Sequence, residues 1–346
     1  MNDFSKTAAV SASAAAAPSP LLQIRNIRKR FRLEAGLFGS DRKLVYAVNG
    51  VSLTVGRGET YGLVGESGSG KSTLAKCLVN VYPYDEGEGL FFDGSTVYSL
   101  DAASRKKNPI LNRKIKYVFQ DPAASLDPRM TVEEILTIGV RYAKLMSRQE
   151  ARRRALTLTD AVGLPSDSLA RRPVDFSGGQ RQRISLARAL MSSPDLLICD
   201  EVVSALDVSV QGQILNLLTD LKREFGFSML FIAHDLGVVS YISDRVGVMY
   251  GGRLMEEAAA LQLFRSPMHP YTQLLLASVP RADGAFLRNP SAGEPFDAVN
   301  PPPGCPFAPR CPHAGEECRE KKNPAGRYGA AGSHFCDCGK TVQLSR

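Results

Sequence analysis

One short segment constrains this chain more than any other feature of its sequence. Residues 65–72 read Gly-Glu-Ser-Gly-Ser-Gly-Lys-Ser, which fits the pattern G-x-x-x-x-G-K-[ST]. The apolar run Tyr61–Val64 comes directly before this segment and predicts a strand, and the pattern from Thr73 to Val81 predicts a helix. A glycine-rich loop between a strand and a helix points backbone N–H groups at a phosphate chain. The segment therefore predicts a site for the phosphates of a nucleotide.

A second segment supplies the acids that such a site needs. Leu196–Cys199 predicts a buried strand that ends in Asp200 and Glu201. We expect Asp200 and the Ser72 hydroxyl to hold Mg²⁺, and Glu201 to polarise an attacking water. Lys71 is expected to reach the β- and γ-phosphates. The predicted nucleotide-binding residues of the loop are Gly65, Glu66, Ser67, Gly68, Ser69, Gly70, Lys71, Ser72 and Thr73.

The string Phe-Ser-Gly-Gly-Gln at residues 176–180 resembles the signature motif, commonly written LSGGQ, of the nucleotide-binding subunits of ATP-binding cassette transporters. The resemblance implies an ATPase that binds ATP and Mg²⁺. It also implies that Ser177, Gly178, Gly179 and Gln180 complete the ATP site of a second cassette, so that hydrolysis requires a dimer.

The same resemblance assigns further roles. Gln120 would be the glutamine at the hinge of the lid and a Mg²⁺ ligand, and His234 would contact the γ-phosphate, so the implied catalytic residues are Glu201, His234 and Gln120. Phe31 stands where the family places an aromatic ring against adenine. One departure is visible: the family usually has Pro after the Asp-Glu pair, whereas this chain has Val202.

The order of predicted elements indicates an α/β fold. Strands and helices alternate, which predicts a parallel-containing core, with a helical piece inserted at about 121–175. The resemblance makes this core the P-loop cassette type, RecA-like, with an antiparallel β edge. Residues 21–31 alternate apolar and basic side chains and predict an edge strand. We expect a disordered tail at 1–20, the ATPase domain at 21–258, and a separate loop-rich extension at 259–346.

Three stretches resemble the dipeptide and oligopeptide importers, whose relatives also carry nickel or glutathione. They are Tyr117–Met130, His269–Pro280 and Gly304–Ala314. This resemblance implies a subunit that powers peptide import from the cytoplasmic face of the inner membrane. Its implied partners are two transmembrane permease subunits, an extracytoplasmic solute-binding protein and a second, paralogous cassette. A nickel or glutathione importer is the nearest alternative.

Five of the seven cysteines lie close together near the end of the sequence: Cys305, Cys311, Cys318, Cys336 and Cys338. Their spacings do not fit the short C-x2-C pairs of zinc sites. A [4Fe-4S] cluster tolerates varied spacing, so a cluster, a zinc ion and no metal all stay open. Some importers of this kind are thought to hold a cluster here, which would use Cys305, Cys311, Cys318 and Cys338. Cys338 is preferred to Cys336 because relatives often have a Cys four residues after a His, as here after His334.

The composition of the sequence and the motifs it lacks disfavour other functional classes of protein. The net charge of +8 comes from scattered basic residues, which disfavours a nucleic-acid partner, and no apolar run reaches the length of a membrane span. Soluble cassette ATPases that act on nucleic acid or ribosomes usually carry two cassettes or a long coiled coil, and this sequence has one phosphate loop and no heptad run. An iron–sulfur redox protein with incidental nucleotide binding is disfavoured by Glu201 and His234.

Overall fold

The protein has two β-sheets, and apolar side chains from both of them share one core cluster. A computed structural model describes residues 19–33, 43–278, 296–320, 326–328 and 333–338. Most of the tail expected at 1–20 lies outside the described residues, although Pro20 already begins a strand. None of the helices within the described ranges is long and apolar enough to span a bilayer.

The first sheet has four antiparallel strands in the order β2-β1-β4-β5. They are β1 Pro20–Arg32, β2 Leu44–Gly56, β4 Glu86–Asp93 and β5 Thr96–Ser99. The prediction of β1 as an edge strand was wrong, because β4 pairs with its second side. The first four residues of β4 are Glu-Gly-Glu-Gly, which are residue types that strands disfavour, so this pairing could not be predicted from local propensity.

The second sheet has the order β11-β12-β10-β9-β3-β8-β7-β6. Strands β9, β3, β8, β7 and β6 are parallel, and β10, β12 and β11 add antiparallel pairings at one side. The strands are β3 Thr60–Val64, β6 Ile115–Val118, β7 Leu196–Asp200, β8 Ser228–Ile232, β9 Arg245–Tyr250, β10 Arg253–Ala259, β11 Gly326–Tyr328 and β12 His334–Cys336. The predicted α/β class with a parallel core and antiparallel strands is confirmed.

Twelve helices connect these strands within the described ranges. They are α1 Lys71–Leu78, α2 Ala102–Lys107, α3 Ile110–Lys114, α4 Pro122–Ser125, α5 Val132–Tyr142, α6 Arg148–Ala161, α7 Gly178–Leu190, α8 Val208–Phe225, α9 Leu236–Ile242, α10 Ala260–Arg265, α11 Pro270–Ala277 and α12 Glu316–Glu320. Three of the longer ones start at reciprocal capping boxes: Thr131 with Glu134, Ser147 with Glu150, and Ser177 with Gln180. Gly226 ends α8 in the left-handed conformation.

Alternation along the central strands divides the core in two. Leu63 packs between the two sheets, whereas the next residue, Val64, packs on the opposite face against the helices. The same alternation is present in β7, where Ile198 and Cys199 point to opposite cores. Each fully buried aliphatic side chain contributes about 1.5–3 kcal/mol relative to exposure. Because both faces are covered, the loops at the carboxyl ends of these strands are held on a rigid base.

The C-terminal segment continues the second sheet. Strand β12 pairs with β10, where Glu256 lies opposite Cys336, and the N–H of Asp337 donates to the carbonyl oxygen of Met255 at 2.7 Å. A separate loop-rich extension was expected, yet these pairings join the segment to the ATPase core. The sequence did not reveal them because β11 and β12 have only three residues each.

Candidate functional site

The loop at residues 65–72 is held between two strands and needs its glycines. Gly65 has φ of +151°, and a Cβ there would lie 2.1 Å from the carbonyl oxygen of Met249. Gly70 has φ of +99°, and a Cβ there would lie 2.1 Å from the carbonyl oxygen of Ala47. Both positions therefore exclude side chains, because the opposing atoms belong to the backbone. The main chain of the loop can approach a ligand closely without steric cost.

Lys71 lies under this loop with its amine turned into it. Its Nζ donates to the carbonyl oxygens of Gly65 and Glu66 at 2.7 and 2.9 Å, and to Ser69 Oγ at 3.2 Å. Burial lowers the pKa of Lys71, and the charges of Glu201, Asp200 and Glu66 oppose that shift. The crest of the loop, Ser67 and Gly68, is exposed, so a phosphate chain has access to the loop.

Asp200 stands at the end of β7 beside the start of α1. Its Oδ1 accepts a hydrogen bond from Ser72 Oγ at 2.8 Å, and its Oδ2 accepts one from the Tyr117 hydroxyl. The expected pair of Mg²⁺ ligands is thus in direct contact. Tyr117 was not predicted as a site residue, because a tyrosine in β6 gave no sign of pairing with an acid 83 residues away.

The three predicted catalytic side chains meet beside this pair. Gln120 Nε2 donates to Glu201 Oε2 at 2.7 Å, and His234 Nδ1 lies 3.9 Å from the same oxygen. Glu201 has φ of +49°, in the left-handed region that favours glycine, and its N–H donates to the carbonyl oxygen of Ile232 at 2.9 Å. Such strain is maintained only where neighbouring contacts fix the backbone. The next residue, Val202, fills the hydrophobic core with its side chain.

An open cavity of about 420 Å³ lies beside Ser72 and Asp200. It extends from the start of α1 across the end of β6 to α4. Its lining residues are Ser72, Lys76, Tyr117, Phe119, Gln120, Asp121, Ala124, Ser125 and Asp200. The space is therefore bounded by Ser72 and Asp200, which are both expected Mg²⁺ ligands, and by Gln120.

The signature segment lies at the exposed start of α7. Ser177 caps the helix: Gln180 N–H donates to Ser177 Oγ at 3.4 Å, and Ser177 N–H donates to Gln180 Oε1 at 3.0 Å. A Cβ on Gly179 would lie 2.8 Å from Val210, so the segment packs closely on α8, whereas Gly178 is exposed. Among the described residues, no hydrogen bond joins residues 177–180 to the phosphate loop. The structure does not bring the signature into its own chain's site.

Phe31 lies apart from the acids, in β1. Its ring packs edge-on against Tyr82 with centroids 5.1 Å apart, and Lys29 Nζ lies 5.3 Å from the ring. The side chain is half-buried, which leaves part of the ring open.

Four of the five clustered cysteines line one small, mainly apolar cavity. Its lining residues are His269, Pro270, Cys305, Phe307, Ala308, Cys311, His313, Cys318 and Cys338. Cys336 is buried in β12 instead. Burial raises the pKa of Cys305 to about 11. No group of three or more His, Cys, Asp or Glu side chains in the described ranges has an arrangement that could hold a metal ion.

Comparison with protein families gives two matches. Residues 48–204 match the model described as ABC transporter, and residues 255–318 match the one described as oligopeptide/dipeptide transporter, C-terminal region. The second match contains His269, Cys305, Cys311 and Cys318.

Curated relatives are similar over most of the chain. The putative oligopeptide transport ATP-binding protein YkfD of Bacillus subtilis (strain 168) is 46% identical over 308 residues, which is 88% of this chain and 91% of the relative. The oligopeptide transport ATP-binding protein AppF of the same organism is 44% identical over 328 residues, 94% of this chain and 98% of the relative.

Solved structures of ATP-binding cassettes and of ABC transporter components are similar over about 70% of the chain. The post-hydrolysis dimer of the ATP-binding cassette MJ0796, bound to ADP and Pi, is 27% identical with a TM-score of 0.59, covering 69% of this chain and 99% of that one. CbiO1 of Clostridium perfringens, part of the ABC transporter complex cbiONQ, is 25% identical with a TM-score of 0.60, covering 71% and 91%.

Proposed function

The chain belongs to the ABC transporter family of ATPases, and on that premise we propose that it powers the import of di- or oligopeptides through separate membrane subunits. The similarity to oligopeptide transport ATP-binding proteins extends over nearly the whole chain. The match to the oligopeptide/dipeptide C-terminal region favours an importer over a cassette ATPase that acts on nucleic acid or ribosomes.

One observation carries the catalytic assignment: side chains from four separate segments converge beside the phosphate loop. Ser72 contacts Asp200, and Gln120 contacts Glu201, with His234 next to that acid. The donor set fits Mg²⁺, which takes one or two carboxylates with hydroxyl and water oxygens. When bound, Mg²⁺ neutralises charge on the phosphates. Ser72 and Asp200 would hold it, with Gln120 adjacent.

The chemistry assigned to these residues is phosphoryl transfer to water. Glu201 accepts a proton from a water molecule while the oxygen of that water bonds to the γ-phosphorus. The bond between the γ-phosphorus and the oxygen of the departing ADP breaks. Lys71 and the loop N–H groups stabilise charge on the phosphate oxygens, and His234 contacts the γ-phosphate. We propose that the half-buried ring of Phe31 packs against the adenine base.

The second cassette follows from the exposed signature. Ser177 and Gly178 are exposed, and within the described part of the chain they make no hydrogen bond to the phosphate loop. We propose that they and Gly179 donate to the nucleotide of a partner cassette, and that the partner is a paralogue. A solute-binding protein outside the membrane completes the assembly, with this chain on the cytoplasmic face of the inner membrane.

A groove of about 640 Å³ between β6, α5 and α7 suits the membrane subunits. Ile138 and Leu145 line it and are 53% and 41% exposed. Arg113, Lys116 and Arg188 also line it, and burial, with Arg188 nearby, lowers the pKa of Lys116. We propose that a short apolar segment of a permease, ending in an acidic or carbonyl group, occupies this groove. Tyr117 lines both the groove and the ATP cavity, which would couple the two.

Uptake in the native cell tests the proposed function. Deleting the gene should abolish uptake of labelled di- or oligopeptides, and the wild-type chain should restore it while Glu201→Gln does not. Nickel and glutathione uptake measured in the same strains identifies the alternative importers. The peptide assignment is wrong if uptake of peptides is unchanged by the deletion while uptake of either alternative solute is lost.

We also propose a [4Fe-4S] cluster on Cys305, Cys311, Cys318 and Cys338. Its support is that these four side chains line one cavity, from which Cys336 is absent. In the described ranges these cysteine side chains form no group that could hold a metal ion, so cluster binding requires their sulfur atoms to draw together and lose their protons. Anaerobically purified protein should contain iron and sulfide in about equal amounts. Cys338→Ser should abolish both and Cys336→Ser should keep them; colourless protein, with zinc or without metal, contradicts the assignment.

A further inference from the structure

The C-terminal segment reaches the phosphate loop through Arg310. The two terminal guanidinium nitrogens of Arg310 lie 2.7 and 3.0 Å from the two carboxylate oxygens of Glu66, the second residue of the loop. The two residues are 244 positions apart in the sequence. Two parallel hydrogen bonds of this kind fix both the position and the orientation of the carboxylate, whereas a single hydrogen bond leaves its orientation free.

A second contact from the same region holds the main chain of Glu66. Its N–H donates to the hydroxyl oxygen of Tyr271 at 2.9 Å. Tyr271 is fully buried, and its ring packs against Tyr250 and Phe307 with centroids 4.6 and 5.3 Å away. Arg310 lies near the rings of Tyr250 and Phe307 as well. One aromatic cluster therefore supports both groups that hold Glu66.

The charge of Glu66 explains why such support matters. This carboxylate belongs to the loop that receives the phosphates, and its charge acts on the buried amine of Lys71. An unpaired carboxylate beside a triphosphate repels it. The Arg310 side chain is 15% exposed and that of Glu66 is 38% exposed, so solvent screens the pair only partly.

We propose that Arg310 is a positioning residue of the ATP site: it neutralises Glu66 and, together with Tyr271, fixes the start of the phosphate loop. The inference rests on the proposed ATPase function. Arg310 ends the short turn that begins at Ala308, directly before Cys311. The turn next to the cysteine cavity is thus also a part of the nucleotide site.

A double-mutant cycle on the full chain tests this role. Arg310→Met keeps an unbranched side chain against the aromatic rings but removes the charge, and should raise the Kd of a fluorescent ATP analogue about tenfold. The rate of hydrolysis at saturating ATP should change much less, because the catalytic residues are untouched. In the Glu66→Gln background, the same Arg310→Met change should raise Kd less than about twofold, since no charge is left unpaired.

Arg253→Met is the matched control. Arg253 also anchors the C-terminal segment, through the Gly304 carbonyl oxygen at 3.0 Å and Asp337 at 2.6 Å, and its side chain is 14% exposed. It makes no contact with the loop among its described hydrogen bonds. Arg253→Met should lower the melting temperature but leave the Kd for ATP within about twofold of wild type. Arg310→Lys, which keeps the charge without the paired geometry, should be intermediate.

The outcomes separate the two proposals. If Arg253→Met raises Kd as much as Arg310→Met, or if Glu66→Gln gives no rescue, general loosening explains the effect and the positioning role is wrong. It is also wrong if Arg310→Met binds ATP as wild type does while the wild-type chain hydrolyses ATP. If the wild-type chain neither binds nor hydrolyses ATP, the proposed function itself fails. Should Arg310→Met not fold, Arg310→Lys and the double variant with Glu66→Gln give the same comparison.

Discussion

Asp200 divides its two carboxylate oxygens between Ser72 and Tyr117. Ser72 is the group expected to share Mg²⁺ with Asp200, whereas the Tyr117 hydroxyl donates to the other carboxylate oxygen and can orient it. Burial and the neighbouring charge of Asp200 raise the pKa of Tyr117, so the hydroxyl stays protonated and able to donate. Groups that orient a metal ligand commonly affect metal affinity by 10–100-fold on removal.

Tyr117→Phe should therefore weaken the binding of Mg²⁺ more than it lowers the rate of hydrolysis at saturating Mg²⁺. The apparent Mg²⁺ constant of the ATPase reaction should rise by about tenfold, and saturating Mg²⁺ should restore most of the rate. A Mg²⁺ titration at fixed ATP measures both quantities. Tyr241→Phe is the control, because it removes a hydroxyl that donates to Asn216 instead. An unchanged Mg²⁺ constant in Tyr117→Phe would show that the tyrosine has no part in holding Asp200.

Ser177, at the start of α7, is assigned two roles that can be tested separately. Ser177 caps the helix within its own chain, and its exposed hydroxyl is also proposed to serve a partner's nucleotide. Ser177→Ala removes both functions. Asn is as good an N-cap as Ser but places an amide where the hydroxyl was.

We predict that only stability distinguishes the two substitutions. Ser177→Ala should lower the free energy of unfolding by about 1 kcal/mol, and Ser177→Asn should leave it nearly unchanged. Both should depress hydrolysis at the partner's site while the ATP affinity of the isolated chain stays near wild type. Denaturant unfolding and ATP turnover with the partner present measure these effects. Normal turnover in Ser177→Asn would mean that the serine acts only as a cap.

Sequence patterns predicted some elements of this fold far better than others. The phosphate loop and the strand ending in Asp200 were predictable because each is a local pattern with its own chemistry. The hairpin of β4 and β5 was missed because glycines and acids, which have low strand propensity, occupy the first half of β4. Hydrogen bonds to β1 stabilise this strand in spite of its low propensity. Tyr117 and Arg310 were missed for a different reason: each acts on a residue far away in the sequence, and only the fold brings the partners together.

Across the whole molecule, the residues proposed for the ATP site come from distant parts of the chain. The loop and Ser72 come from the first third, Asp200 and Glu201 from the middle, and Arg310 from the C-terminal region that matches the peptide transporters. The signature lies outside this assembly, on an exposed helix start. A site that collects so many parts of its own chain but not its signature fits a mechanism in which ATP joins two cassettes.

This arrangement predicts how turnover depends on pairing. The activity per molecule should rise with protein concentration, or on adding the partner cassette, because each site needs Ser177 or its counterpart from the other chain.

Glu201→Gln removes the proposed base, but the new amide side chain can still form a hydrogen bond with Gln120. ATP should therefore still bind and hold the two cassettes together. Hydrolysis should fall by on the order of 10² or more, and size-exclusion chromatography with Mg²⁺ and ATP should show the dimer persisting. Wild-type turnover that is independent of concentration and of the partner would rule out the paired mechanism, and full turnover in Glu201→Gln would remove that residue from the role of base.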